Sequence, residues 1–132
     1  MSEDLSYTEE DVDASLTQVR RIALPLPGVT ERLSHGSPTF FVKKTFLSFH
    51  DDHHGDGRLA IWCKAEPGVQ GMVVDTEPDR YFVPPYVGPS GWIGLRLDVD
   101  VDWDEVEAVI TDGFRCVATK RLLAELDGAT SA

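Results

Sequence analysis

Between Glu9 and Leu24 apolar residues recur at helical spacing. Val12, Leu16, Val19 and Ala23 fall on one face of an amphipathic helix. Thr8-Glu9-Glu10-Asp11 supplies an N-cap and first-turn acids, while Arg20 and Arg21 place cations in the last turn, both favourable to the helix dipole. Pro25, Pro27 and Gly28 end it.

The period then shortens to that of strands. Glu31–Ser34, Pro38–Val42, Phe46–His50 and Arg58–Cys63 are short runs rich in aromatic and β-branched residues, which predicts antiparallel hairpins. Lys43-Lys44 stands at the first tight turn, an unusual choice because neither residue favours positive φ. His50–Gly57, HDDHHGDG, reads as a longer polar turn. Glu66-Pro67-Gly68 opens a short helix through Val74, closed by Thr76–Asp79. Tyr81–Val83 and Trp92–Leu97 are strands joined by the Pro/Gly loop Pro84–Gly91; Trp92, Gly94 and Arg96 share one face of the second. After the acidic connector Asp98–Asp102, Trp103, Val106, Ile110 and Phe114 mark one face of a helix, interrupted late by Gly113. Thr119 caps a last helix carrying Leu122, Leu123 and Leu126.

Helices at both ends, hairpins between and no strict βαβ alternation predict an α+β two-layer sandwich, an antiparallel sheet with helices on one side. Three or four strands precede the middle helix and two follow it. Residues 8–126 form the expected domain; residues 1–7 and 127–132 are expected to be flexible. A chain of 132 residues suits one domain.

Composition narrows the function. The formal net charge of −11 excludes a generally basic nucleic-acid protein, though not a local basic face. Arg20–His50 holds five basic residues and one acid, whereas Asp98–Asp112 holds seven acids and no base. The apolar runs are far shorter than the roughly 20 residues of a membrane span, and the acidic start lacks a signal-peptide core. Two cysteines read as free thiols, so the expected location is cytoplasmic.

Catalytic motifs are missing. Ser90 in Gly88-Pro89-Ser90-Gly91 lacks the spacing of a nucleophile elbow, and Cys63 and Cys116 lie in apolar elements where thiols are packing. His50, His53 and His54 lie among Asp51, Asp52 and Asp56, but the spacing matches no metal motif; a polar loop is the expectation. His35 reads as a turn histidine bonded to backbone. No enzyme, no metal and no cofactor are expected.

Pro78–Leu97 is the informative segment. Arg80 and Arg96 are its two cations; Tyr81, Phe82, Tyr86 and Trp92 supply aromatic faces; prolines and glycines stiffen the loop. Such a surface stacks a base, holds a planar ligand or grips a peptide. Phe82 and Trp92 are expected in the core, and Tyr86 and Arg80 exposed.

Here the chain resembles the MmcQ/YjbR family of small bacterial proteins. The residues that carry the resemblance are Ala23–Val29, His35-Gly36 with Pro38 and Phe40, Asp79–Gly88, Gly91-Trp92, Asp102-Trp103 and Lys120–Leu122. The resemblance implies a secretion-chaperone-like fold of order α-β3-α-β2-α. It also implies DNA binding through a double wing of hairpins, with no catalytic residues. Lysines where the hairpin turn commonly has glycine, a longer acidic loop and the net charge depart from the family's pattern.

Two functions follow. A nucleic-acid module would use Lys43 and Lys44 at a hairpin tip, Arg80, Tyr86 and Arg96 near the loop, and Lys120 and Arg121 on the last helix. A domain binding a small planar ligand, a peptide or a protein partner would use the aromatic loop with Trp92, and predicts a cavity of about 300 Å³ or more beside Tyr86 and Trp92. A monomer or weak dimer is expected in either case, with no membrane partner.

Overall fold

The computed structural model describes residues 5–130, with side chains to 128. The chain runs α1 (Glu9–Ala23), β1 (Thr30–Ser34), β2 (Ser37–Val42), β3 (Lys44–Asp51), β4 (Leu59–Cys63), α2 (Val69–Thr76), β5 (Tyr81–Phe82), β6 (Ile93–Arg96), α3 (Trp103–Val117) and α4 (Lys120–Thr130). The six strands form one sheet of order β1-β2-β3-β4-β6-β5, every pair antiparallel. The fold is α+β as expected. Its first run has four strands, the larger of the two counts the pattern allows, and not the three of the order implied by the resemblance.

Alternation assigns each strand residue to a face. Phe40, Leu47, Cys63 and Ile93 are paired across four strands, as are Phe49, Ile61, Leu95 and Tyr81. They join Val19 and Ala23 of α1 and Val106, Ile110 and Phe114 of α3 in the main core. A bulge widens this face. Phe40 pairs with Leu47 and Phe41 with Thr45, so Phe46 is the extra residue, and Phe46 and Leu47 are both fully buried in the same core. The Phe46 ring meets that of Phe114 edge-on at 6.0 Å.

Thr8 caps α1 in a reciprocal capping box with Asp11, and Asp102 caps α3 through the amides of Asp104 and Glu105. The Thr119 hydroxyl accepts from the Leu122 amide, as the sequence predicts. Both ends are better anchored than expected. Tyr7 is buried, and its hydroxyl donates to Asp51 at 2.6 Å. Gly128–Thr130 continue α4 rather than forming a loose tail. The expectations for residues 1–4 and 131–132 fall outside the described residues.

At Gly113, α3 packs directly on the sheet. A Cβ there would lie 2.5 Å from Cys63 Sγ and 2.8 Å from the Lys64 carbonyl oxygen. Gly113→Ala is therefore expected to destabilise by about 1–3 kcal/mol, despite alanine's better helix propensity. Gly71→Ala in α2, where a Cβ meets nothing within 4 Å, should gain up to about 1 kcal/mol. Urea melts of the two variants check the contrast; a stabilised Gly113→Ala would mean the helix can lift without loss.

Candidate functional site

The face of the sheet away from the main core is the other set of alternating positions. Arg32, Thr39, Ser48, Trp62, Gly94 and Phe82 stand in one row across all six strands. One step along, His50, Ala60 and Arg96 form a second row. Part of this face closes into a small second core of Ala60, Trp62, Phe82 and Trp92 with Val87. Gly94 makes room for it: a Cβ there would lie 2.4 Å from the Phe82 ring. Arg58 covers the outer side of that ring at 4.0 Å.

Beside it on the same face lies a cavity of about 580 Å³. Its floor is Thr39, Ser48, His50 and Trp62; its walls come from the β1–β2 turn, the turn after β3 and the loop before β6. All four histidines of the chain line it, with Tyr86 and Trp92, and neither a carboxylate nor a Lys or Arg does.

His50 is the centre of the floor. It is buried, with Nδ1 3.2 Å from Ser37 Oγ and Nε2 2.8 Å from Ser48 Oγ. Its ring stacks on Trp62 at 3.6 Å between centroids, and His53 meets both rings edge-on. Burial, and then the neighbouring His53, push the His50 pKa down to about 4, so the imidazole is neutral near pH 7. Burial also lowers His53, helped by His54 and opposed by Asp56. Ser48 and His50 have the spacing of a nucleophile and base, but an imidazole this acidic is a weak base at neutral pH, and a serine, not a carboxylate, holds its other nitrogen.

Two buried polar atoms of the lining residues lack hydrogen-bond partners: Trp62 Nε1 and His53 Nε2. A buried donor left unpaired costs about 1–3 kcal/mol. Backbone strain gathers at the same place. His35, His54 and Tyr86 line the cavity at φ of 51°, 50° and 67°. Strained residues held by their surroundings concentrate at binding sites. The loop that carries Tyr86 is braced from α2, where the Gln70 side-chain amide donates to the carbonyls of Gly88 at 2.8 Å and Trp92 at 2.7 Å.

Of the eight binding residues the sequence suggests, Tyr86 and Trp92 line this cavity and the six cations do not. Tyr86 is 75% exposed and Trp92 buried, as expected. Arg80 is committed to structure. It pairs with Glu77 at 3.2 Å and with Glu105 of α3, which also accepts from the Tyr81 hydroxyl. Arg96 is likewise held by Asp98, at 2.7 Å. Lys43 and Lys44 are exposed at the β2–β3 turn, Lys43 itself supplying the positive φ of 60° that the turn requires. Lys120 and Arg121 are exposed on α4, Arg121 lying 3.9 Å from Glu125. These cations do not converge on the cavity. The polar loop expected at His50–Gly57 is corrected at its start: His50 belongs to β3 and lies in the floor. His35 stands at the β1–β2 turn as expected, but on the cavity wall. No group of three or more His, Cys, Asp or Glu side chains among the described residues is placed to hold a metal ion.

The YjbR family model matches residues 24–116, most of the chain and all six strands. The chain belongs to the YjbR family. A similar fold is seen in the crystal structure of Deinococcus radiodurans protein DR2400, described by the family-model domain DUF419. It aligns over 85% of this chain and 87% of that one, with a TM-score of 0.66 and 17% identity. No curated protein sequence matches the chain. The matched YjbR segment contains every residue of the cavity. Among the described residues of this YjbR chain, no helix is long and apolar enough to cross a membrane.

Ser37, Ser48, His50, His53 and Trp62 went unrecognised as site residues in the sequence of this YjbR domain. A signal was present. In β3, Ser48 and His50 alternate with Leu47 and Phe49, and in β4, Trp62 alternates with Ile61 and Cys63. Polar and aromatic residues at the outward positions of two central strands mark a face that solvent alone does not explain.

Proposed function

We propose that this chain is a binding domain rather than an enzyme, and that its cavity takes a small planar molecule. The observation that carries this is the cavity itself: about 580 Å³, beside Tyr86 and Trp92. That lies within the roughly 300–1,000 Å³ of small-molecule sites. The aromatic walls suit a flat ring, and the hydroxyls and imidazoles orient it.

The nucleic-acid reading has less behind it. Arg80 and Arg96 are spent on carboxylates, and Lys43, Lys44, Lys120 and Arg121 lie on separate elements. The net charge of −11 repels a polyanion.

A screen of planar heteroaromatic fragments by ligand-observed NMR tests the proposal, beside Thr45→Trp. Thr45 lines the cavity and is only partly buried, so an indole there fills the space while the strand is kept. Fragments are expected to bind the natural protein and to lose binding at least about tenfold in Thr45→Trp. Duplex DNA at low salt is expected to show no binding up to about 100 μM, where non-specific binders respond. Binding of DNA with no fragment bound would overturn the proposal.

A further inference from the structure

We infer that His35, His54 and Tyr86 form a rim that grips a flat aromatic ring at the mouth of the cavity, and that their strained backbone is kept for this contact. The inference rests on the small-molecule reading above and names the residues that select the ligand.

Backbone conformation singles the three out. Among the described residues five that are not glycine have positive φ, and His35, His54 and Tyr86 are three of them, each on a different turn and each lining this cavity. A Cβ crowds the following carbonyl in this region, and a bulky side chain suits it least. Tyr86 is the sharpest case. The Val87 amide donates to the Pro85 carbonyl at 2.7 Å with Tyr86 between them at φ 67°, a γ-turn in its rarer, strained form. His35 and Gly36, both at positive φ, make the two-residue turn between β1 and β2, where asparagine is the favoured first residue. His54 is left-handed ahead of Gly55.

Folding gains little from these side chains. All three residues are exposed, and none of their side chains makes a hydrogen bond among the described residues. Asp52 differs, since its positive φ comes with a side-chain bond from the Gly57 amide at 2.7 Å. Lys43 shows that a turn alone can require such a backbone. What sets the other three apart is that each carries a ring and all meet on one cavity. The ligand supplies the contact that the free protein lacks.

His53 links the rim to the floor. Its ring lies 4.2 Å from His54, 6.1 Å from Tyr86 and 4.7 Å from Trp62, edge-on to each. With no carboxylate, Lys or Arg in the lining, selection falls to the rings. A flat aromatic molecule stacks on them, whereas a saturated one of the same size has no π-face to offer.

The test sets stability against binding. Thermal melts are paired with dissociation constants from ligand-observed NMR for 2-naphthol and its saturated counterpart, trans-decahydro-2-naphthol. Tyr86→Gly removes the ring and relieves the backbone. It is expected to melt about 2–5 °C higher than the natural protein and to bind 2-naphthol at least about threefold more weakly. His35→Asn and His54→Gly should move both readouts in the same directions. Tyr86→Phe keeps the ring and should bind within about twofold of the natural protein. The natural protein is expected to prefer 2-naphthol at least about threefold over the saturated probe, and Tyr86→Gly to narrow that preference. A less stable Tyr86→Gly would make the ring a packing residue, and one that binds 2-naphthol as before would leave the rim without a ligand; either overturns the inference. Equal binding of the two probes to the natural protein does so too, as does failure of 2-naphthol while other fragments bind in a Thr45→Trp-sensitive way. All of these leave the small-molecule reading intact. A screen with no such fragment overturns the reading beneath it.

Discussion

Trp92→Ala is expected to lower the stability of the folded protein by about 3–5 kcal/mol, the usual cost of truncating a buried aromatic. Trp92 is 7% exposed and packs with Ala60, Trp62 and Phe82 in the second core. The loss should be on the large side for two reasons. The Trp92 backbone carbonyl is one of the two acceptors of the Gln70 amide, so collapse of the ring's site also disturbs the brace on the loop. The second core is small, with few neighbours to fill the void. Urea denaturation measures the effect. A loss below about 1 kcal/mol, with fragment binding abolished, would make Trp92 a ligand contact instead of a packing residue.

The second large effect is a dependence on pH. His50 is expected to withdraw about 3 kcal/mol of stability between pH 6.5 and about pH 4, its unfolded and folded values. The sign follows from proton uptake. Below 6.5 the unfolded chain binds a proton at this histidine, while the folded protein, its imidazole buried, does not. Stability is therefore fully present above 6.5 and falls as the pH drops; below about 4 both states are protonated and the slope ends. Asp98 adds to the decline only further down. Burial opposes its ionisation, but the Arg96 guanidinium and the Ser6 hydroxyl more than offset this and hold the carboxyl below its ordinary value. The window from pH 6.5 to 5 thus belongs chiefly to the histidines. Denaturation curves across that window should steepen in the natural protein and flatten in His50→Gln; parallel curves would show that His50 titrates normally.

The parts of this fold that were legible in the sequence are those set by local periods. The helix expected over Glu9–Leu24 is observed over Glu9–Ala23, and the helix marked by Trp103, Val106, Ile110 and Phe114 is α3. Strands were found to within a few residues because aromatic and β-branched runs are bounded by turn residues. The site was harder because it depends on register. Nothing in the run Phe46-Leu47-Ser48 announces that Phe46 is a bulge residue, yet that one insertion puts Ser48 beside Thr39, and the β3–β4 register puts it beside Trp62. Arg80 looked available for a ligand because its partner Glu105 is 25 residues further on, in an acidic stretch that reads as solvated helix. The single residue Lys43 at positive φ resolves the awkward turn without the glycine that local chemistry favours.

The two faces of the sheet answer to different demands. Leu47, Phe49, Ile61 and Cys63 hold the chain together against α1 and α3, while their immediate neighbours Ser48, His50 and Trp62 face the cavity. A change at one of these three leaves the main core's own contacts in place. The same backbone is thereby free to exchange its recognition chemistry residue by residue, and likeness of fold between two such chains carries no promise of a shared ligand. The alternation of a β-strand becomes a source of evolvability: one set of positions is bound to the architecture, and the interleaved set is open to selection for a new partner.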